Sequence, residues 1–144
     1  MNVQQLLDSK PKNFVETVSE TQTLGDVVKR LAELKIGAIV VSNGNGGVAG
    51  IISERDIVRQ LAAIGPSCLS GAVKDTMTSK VVSASPADIA EDLLGVMTDG
   101  RFRHMPVMKD GALVGILSIG DVVKARIDTM AAENEALEGM IRGY

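Results

Sequence analysis

Aromatic side chains are almost absent from this sequence of 144 residues, which contains two Phe, one Tyr and no Trp. A protein that holds single-stranded nucleic acid usually stacks the bases on aromatic rings beside clustered cations. Neither feature stands out here, and the net charge is −3. We therefore expect no nucleic-acid partner, and we expect a core built from aliphatic side chains and methionine.

Cysteine and histidine occur once each, as Cys68 and His104. A single cysteine rules out a disulfide within the chain, and one Cys with one His cannot form the usual zinc site. The Gly-x-Ser-x-Gly and P-loop patterns are also missing. We therefore predict that the protein is not an enzyme and has neither a metal site nor a catalytic cofactor.

Signals for export or membrane insertion are missing as well. Residues 1–10 lack a basic region followed by an apolar run, so no signal peptide is predicted. The longest uncharged stretch, residues 36–53, contains five Gly and two Asn, which argues against a membrane span. The sequence therefore predicts a cytoplasmic protein without a membrane partner.

What the sequence does contain is an internal repeat. With an offset of 66 residues, VETVSE (15–20) matches VVSASP (81–86), and AIVV (38–41) matches HMPV (104–107). After a turn that is one residue longer in the first copy, the offset is 65, and GIISERDIV (50–58) matches GILSIGDVV (115–123). Between these segments each copy has the apolar spacing of a helix, at Leu24, Val27, Val28 and Leu31 and at Ala90, Leu93, Leu94 and Met97.

Each copy therefore predicts the element order β-α-β-β-α. The turns NGNGG (43–47) and KDG (109–111) suit hairpins, because their residues tolerate positive φ angles. We expect an α+β fold in which the two repeats pack as a pseudo-two-fold pair. The predicted boundaries are 1–66 for repeat 1, 67–128 for repeat 2 with a joint helix at 67–78, and 129–144 for a C-terminal helical extension.

Three segments carry a resemblance to a known family: KDTMTSKVVSASP (74–86), RFRHMPVMKDGALVGILSIGDVV (101–123) and GIISERDIV (50–58). In order and spacing they are similar to the cystathionine β-synthase (CBS) domain, present twice as in a Bateman module. The resemblance covers about residues 5 to 128. It implies a stand-alone regulatory module that binds an adenosine nucleotide.

The repeated Ser-x-x-Asp motif has two compatible interpretations. As a helix cap, the Ser hydroxyl accepts from a first-turn N–H, and the acid favours the positive helix end. As a binding site, a helix start that follows a strand suits an anion, and an acid one turn in suits a ribose diol. In the family that the sequence resembles, these residues contact phosphate and ribose; here they are Ser53, Asp56, Ser118 and Asp121.

The resemblance also implies an adenine pocket beside the first strand and the strand before the hairpin. With so few aromatic residues, this pocket has to be aliphatic, with backbone groups reading the base edge. Ordinary core packing is the alternative explanation for every residue in it. The candidates are Val15, Thr17, Ala38, Ile39 and Val40 in repeat 1, and Val81, Val82, Ser83, Met105 and Pro106 in repeat 2.

Basic residues distinguish the two copies. Arg101, Arg103 and His104 precede the strand of repeat 2, whereas repeat 1 has Arg55 inside its motif. Converging cations suit a phosphate group. The alternative is a solvated helix end at which cations offset the helix dipole.

The last helix continues beyond the end of repeat 2 with residues spaced alternately by four and three. This spacing is typical of a coiled coil, although a helix packed on its own domain is an equally open interpretation. The row comprises Val123, Ile127, Met130, Asn134, Leu137 and Ile141. Since the resembled modules pair through their helices, we expect a homodimer in either case.

Together these features predict a sensor of an adenosine nucleotide (AMP, ADP, ATP or NAD(H)) that acts on a separate effector protein. S-adenosylmethionine is a further ligand that the resemblance allows. The alternative function is a ligand-free scaffold for dimerisation or protein interaction, in which the Ser-x-x-Asp motifs are caps only.

Overall fold

The computed structural model describes residues 1–10 and 15–142, and these form a mixed α/β fold. The helices are α1 (Val3–Ser9), α2 (Leu24–Leu34), α3 (Glu54–Ile64), α4 (Leu93–Gly100) and α5 (Ile119–Arg142). The strands are β1 (Thr17–Ser19), β2 (Ala38–Ser42), β3 (Val48–Ser53), β4 (His104–Lys109) and β5 (Ala112–Ser118).

Two compact units divide the chain. The repeat-1 unit comprises residues 14–82 and 109–114, and the repeat-2 unit comprises residues 1–13, 83–108 and 115–144. The boundaries of these units differ from the predicted repeat boundaries, because the first segment of each predicted repeat groups with the other repeat. Residues 1–13 belong with repeat 2, and residues 67–82 belong with repeat 1.

Repeat 1 has the predicted order, β1-α2-β2-β3-α3. Strand β1 pairs parallel with β2, with Val18 opposite Val41, and β2 pairs antiparallel with β3, with Ala38 opposite Ser53. Helix α2 starts at the N-cap Thr23 and buries Leu24, Val27 and Leu31. These helix residues join one hydrophobic cluster with Val18, Ile39, Val41 and Ile52 of the sheet.

Repeat 2 departs from the prediction at its first strand. Residues 81–86 form one parallel bridge, Ala84 to Val107, which is the same pair as Val18 and Val41 shifted by 66 residues. Ala84 donates its N–H to the Pro106 carbonyl (2.9 Å) and accepts from Met108 N–H (2.8 Å). One step earlier in this ladder, the N–H of residue 106 would bond to Val82. Proline lacks that N–H, so the ladder cannot extend, whereas Val40 allows it in repeat 1.

The joint between the repeats was expected to be a helix over residues 67–78, and this prediction was wrong. The joint consists of two short 3-10 helices, Pro66–Ser70 and Val73–Asp75. Gly71, between them, has an extended backbone (φ −77°, ψ 161°) and accepts from Leu24 N–H (2.9 Å). Thr78 then exchanges two 2.9 Å hydrogen bonds with Ile51 of β3. The extended stretch therefore ties the joint to the repeat-1 sheet instead of continuing a helix.

The hairpin turns agree with the sequence-based prediction. Gly44 and Gly46 have φ angles of +86° and +81°, and Asp110 and Gly111 have φ angles of +52° and +79°. Glycine adopts positive φ angles at little cost in free energy, and aspartate tolerates them.

Helix α5 is 24 residues long and continues well beyond its packed part. Val122 and Ala125 are buried, and the Thr129 hydroxyl donates to Glu91 Oε1 (2.5 Å). From Met130 to Arg142 every residue except Gly139 is exposed. The predicted extension is thus helical as far as Arg142; residues 143 and 144 lie outside the described part. No helix among the described residues combines the length and hydrophobicity needed to span a bilayer.

Candidate functional site

Each Ser-x-x-Asp motif lies where a strand passes directly into a helix. The first helical N–H is held by the residue that precedes the neighbouring strand: Glu54 N–H donates to the Gly37 carbonyl (3.0 Å), and Ile119 N–H donates to the Arg103 carbonyl (2.7 Å). Gly37 and Arg103 are equivalent by the 66-residue offset. The fold therefore places Arg103 at the start of α5, beside Ser118.

In repeat 1 the motif forms a reciprocal cap. Asp56 N–H donates to the Ser53 hydroxyl (3.4 Å), and Ser53 N–H donates to Asp56 Oδ2 (2.9 Å). The Ser53 hydroxyl is also 3.0 Å from Asp56 Oδ2. The other carboxylate oxygen, Oδ1, accepts from Arg59 Nη2 at 2.9 Å. Asp56 is largely buried, and both of its oxygens have donors from within the same helix start.

In repeat 2 the cap is the same, but the cation differs. Asp121 N–H donates to the Ser118 hydroxyl (3.1 Å), and Ser118 N–H donates to Asp121 Oδ2 (2.8 Å). The same Oδ2 also accepts from Lys10 Nζ at 3.0 Å. Lys10 is the C-cap of α1 and precedes Asp121 by 111 residues in the sequence. The capping interpretation is therefore confirmed for both motifs.

The remaining predicted cations lie on the exposed surface near these helix starts. Arg101 and Arg103 are exposed, and His104 is half-buried at the first residue of β4. Arg55 is exposed in the first turn of α3. Arg101 ends α4 with a φ of +58°, as its repeat-1 equivalent Lys35 ends α2 with a φ of +56°. The two repeats therefore share the backbone geometry of this turn. They differ in charge after it, where Arg103 and His104 replace Gly37 and Ala38.

The predicted adenine-pocket residues of repeat 1 divide between the two faces of β2. Ile39 and Val41 pack into the core cluster, so alternation places Ala38 and Val40 on the opposite face. Thr17, opposite Val40 in the register, is exposed, and Val15 is half-buried. The side chain of Ile39 is therefore committed to the core, and only its backbone remains available to a ligand.

The corresponding residues of repeat 2 show a similar mixture. Met105 and Pro106 are buried in β4, Val81 is half-buried, and Val82 and Ser83 are exposed. By the compact units, Val81 and Val82 belong to the repeat-1 unit and the other three to the repeat-2 unit.

A cleft of about 630 Å³ lies on the repeat-1 unit, between α2 and α3. Its walls are mainly apolar, with Lys35 and Glu54 among the lining residues. None of the predicted ligand-binding residues lines it, but Gly37 and Glu54, which are hydrogen-bonded at the start of α3, do, so the cleft borders the repeat-1 motif. The lining residues are Val28, Leu31, Ala32, Lys35, Ile36, Gly37, Glu54, Ile57 and Val58.

Two cations at the motifs were missed by the sequence-based prediction. Arg59 lies three residues after Asp56, and this helical spacing could have indicated the pair. Lys10 could not be found in this way, since nothing in the spacing links it to Asp121. Among residues 1–10 and 15–142, no group of three or more His, Cys, Asp or Glu could hold a metal ion.

Comparisons with known proteins agree with the repeat. A family model described as the CBS domain matches residues 8–63 and 73–128. The solved CBS-domain containing protein ATU1752 from Agrobacterium tumefaciens is 44% identical, with a TM-score of 0.83 over 88% of this chain and 99% of that one.

A curated relative is the CBS domain-containing protein CBSX3, mitochondrial, from Arabidopsis thaliana. It is 38% identical over 125 residues, which are 84% of this chain and 61% of the relative's length. The CBS domain pair of protein MJ0100, solved with 5′-methylthioadenosine and S-adenosyl-L-methionine, is 22% identical. With a TM-score of 0.77 over 90% of this chain and 98% of that one, it supports the fold alone.

Proposed function

The chain belongs to the CBS domain family, and on this premise we propose that it is a regulatory module that binds an adenosine nucleotide. The observation that carries the proposal is the repeat-2 helix start, where Ser118, Asp121 and Arg103 come together at the end of β5. A helix N-terminus and an arginine suit a phosphate, and the carboxylate suits a ribose.

The ligand class follows from charge. Protein MJ0100 was solved with two adenosine compounds that lack phosphate. This chain instead carries Arg101, Arg103 and His104 ahead of β4 and Arg55 in α3. We therefore favour AMP, ADP, ATP or NAD(H) over S-adenosylmethionine, with the adenine against the aliphatic residues named above. The protein acts in the cytoplasm, without catalysis of its own, by binding a separate effector protein.

A thermal-shift panel tests this proposal and orders the ligands. AMP, ATP, NAD and NADH are each expected to raise the melting temperature, because a ligand that binds only the folded state stabilises it. S-adenosylmethionine and adenosine are expected to raise it less. A panel in which S-adenosylmethionine gives the largest shift would contradict the assignment of a phosphorylated ligand.

The exposed end of α5 supports a homodimer. Val123, Ile127, Met130, Leu137 and Ile141 are between 38% and 85% exposed and follow the predicted coiled-coil row. Helical turns without packing are only marginally stable in water, so this segment requires a partner. We propose that a second copy covers it.

Flanking charges favour an antiparallel arrangement of the two helices. With the row in the a and d positions of a heptad, Lys124 and Glu138 occupy e positions and Glu133 a g position. Antiparallel helices bring e residues together, which pairs Lys124 of one copy with Glu138 of the other. Parallel helices would instead bring Glu133 beside Glu138 of the second copy.

Charge reversal at Glu138 should therefore weaken self-association. In an antiparallel pair, Glu138→Lys places two Lys side chains together twice, and adding Lys124→Glu should restore the affinity. Sedimentation equilibrium measures the self-association affinity of both variants. A chain truncated after Ile127, which lacks the exposed end of α5, is measured beside them. Tighter association of Glu138→Lys would indicate the parallel pair. If the chain truncated after Ile127 associates as tightly as the parent, the exposed end of α5 is not the interface.

A further inference from the structure

The turn between β2 and β3 contains both Asn-Gly pairs of the chain, Asn43-Gly44 and Asn45-Gly46. Each of the other three asparagines precedes a larger residue. An asparagine side chain can be attacked by the backbone nitrogen of the next residue, and glycine favours this attack because it has no Cβ to hinder the approach. Both asparagines of the turn are exposed, so exposure alone does not distinguish them.

Hydrogen bonds hold the side chain of Asn43 in place. Its Oδ1 accepts from the N–H groups of Asn45 (2.8 Å) and Gly47 (3.1 Å), and the first of these bonds is that of an Asx turn. A Cβ on Gly47 would lie 2.7 Å from Asn43 Nδ2, so the carboxamide packs against the backbone. The nitrogen that would attack this carboxamide, that of Gly44, donates to the Ser42 hydroxyl (3.1 Å). Attack at Asn43 therefore requires the loss of hydrogen bonds on both reacting groups.

The Asn45-Gly46 pair has no such restraint. Among the described residues, the carboxamide of Asn45 has no hydrogen-bond partner and the N–H of Gly46 has no acceptor. A Cβ on Gly46 would meet nothing within 4 Å, so the space around this nitrogen is open. The Asn45 carboxamide can therefore rotate onto the Gly46 nitrogen without breaking a hydrogen bond.

We propose that Asn45 is a site of spontaneous deamidation and that the turn protects Asn43 from the same reaction. The nitrogen of Gly46 attacks Cγ of Asn45 and forms a bond to it, while the bond from Cγ to Nδ2 breaks. Ammonia leaves with the proton that the Gly46 N–H gives up. Water then opens the resulting cyclic imide at either carbonyl, which leaves aspartate or isoaspartate at position 45.

The modification changes the charge and the backbone of the turn. Each event adds one carboxylate to a chain whose net charge is −3, and the isoaspartate product adds a carbon atom to the main chain. Ala38 and Ser53 pair at the opposite end of the hairpin, so the reaction marks ageing of the protein at a distance from the Ser-x-x-Asp motif. It requires no ligand and is therefore independent of the proposed function.

Peptide mapping of aged protein tests the proposal. The folded chain is kept at mildly alkaline pH, at which the attacking nitrogen loses its proton more readily, and is sampled over days. Trypsin releases residues 36–55 as one peptide, in which tandem mass spectrometry assigns the acid to either asparagine. We expect Asn45 to react at least about tenfold faster than Asn43, because each hydrogen bond lost on the way to the transition state slows the reaction several-fold.

The unfolded chain and two variants test the structural cause. In guanidinium chloride both asparagines should react at similar rates, since the hydrogen bonds that protect Asn43 are absent. Ser42→Ala removes the acceptor of the Gly44 N–H and should accelerate the reaction at Asn43 while leaving that at Asn45 unchanged. Asn45→Gln should remove most of the acid from the peptide, because the longer side chain forms a cyclic imide far more slowly. Circular dichroism melting shows whether each variant is folded.

Three results would overturn the inference. Equal rates at the two asparagines of the folded chain, or a faster rate at Asn43, would contradict protection by the turn. An Asn45 that reacts in guanidinium chloride but not in the folded chain would contradict the modification site. An unchanged rate at Asn43 in folded Ser42→Ala would show that the hydrogen bond to Ser42 does not protect it.

Discussion

Asp121→Ala is expected to weaken nucleotide binding at repeat 2 by roughly 10- to 150-fold, because a hydrogen bond to a charged group contributes about 1.5–3 kcal/mol. Asp121 is well placed for this effect, since Oδ2 is fixed by Ser118 N–H and Lys10 and Oδ1 points to no described donor. Titration calorimetry with AMP measures the change.

The same substitution also removes a helix cap, and this loss needs its own control. Losing a cap costs about 1 kcal/mol of the free energy of unfolding. Asp56→Ala removes the equivalent cap of α3 and should destabilise the protein by a comparable amount without touching repeat 2. A folded Asp121→Ala protein with the affinity of the parent would show that Asp121 is a cap and nothing more.

Arg103→Met is expected to reduce the thermal stabilisation by AMP while leaving any effect of adenosine nearly unchanged. A ligand at 100 times its dissociation constant stabilises the folded state by about 2.7 kcal/mol. For a chain of this length that corresponds to a rise in melting temperature of roughly 5–10 °C. A tenfold loss of affinity at the same concentration would leave about 1.4 kcal/mol, half of the stabilisation.

This result depends on where Arg103 lies. Its carbonyl accepts from the first N–H of α5, so its side chain starts next to the proposed phosphate position. Lys109→Met, six residues further along β4 and also exposed, removes an equal charge and serves as the control. An equal loss of stabilisation for AMP and adenosine in Arg103→Met would contradict a role in phosphate binding.

The repeated features of the fold could be predicted from the sequence because they depend on local chemistry. The offset of 66 residues correctly relates the pair Val18–Val41 to the pair Ala84–Val107. The Ser-x-x-Asp caps and the positive φ angles of the hairpin turns are local as well. The sequence also predicted the starts of α3 and α5, since the capping residues Ser53 and Ser118 end the strands before them.

Other features depend on contacts that no local pattern records. The first strand of repeat 2 shortens to one bridge because Pro106, on the partner strand, lacks an N–H. Residues 38–41 are all apolar and all buried, so the sequence could not show that the side chain of Ile39, and not that of Val40, enters the core cluster. The Lys10–Asp121 pair spans 111 residues and exists only because residues 1–13 belong to the repeat-2 unit.

Calorimetric titration of nucleotide-free protein with AMP shows directly whether the chain binds an adenosine nucleotide. The protein is unfolded, dialysed and refolded first, so that any nucleotide retained from purification is removed. We expect saturable binding that Asp121→Ala weakens at one site of each chain. Absence of binding by AMP, ATP, NAD and NADH at millimolar concentration would contradict the sensor and leave the Ser-x-x-Asp motifs as helix caps of an interaction scaffold.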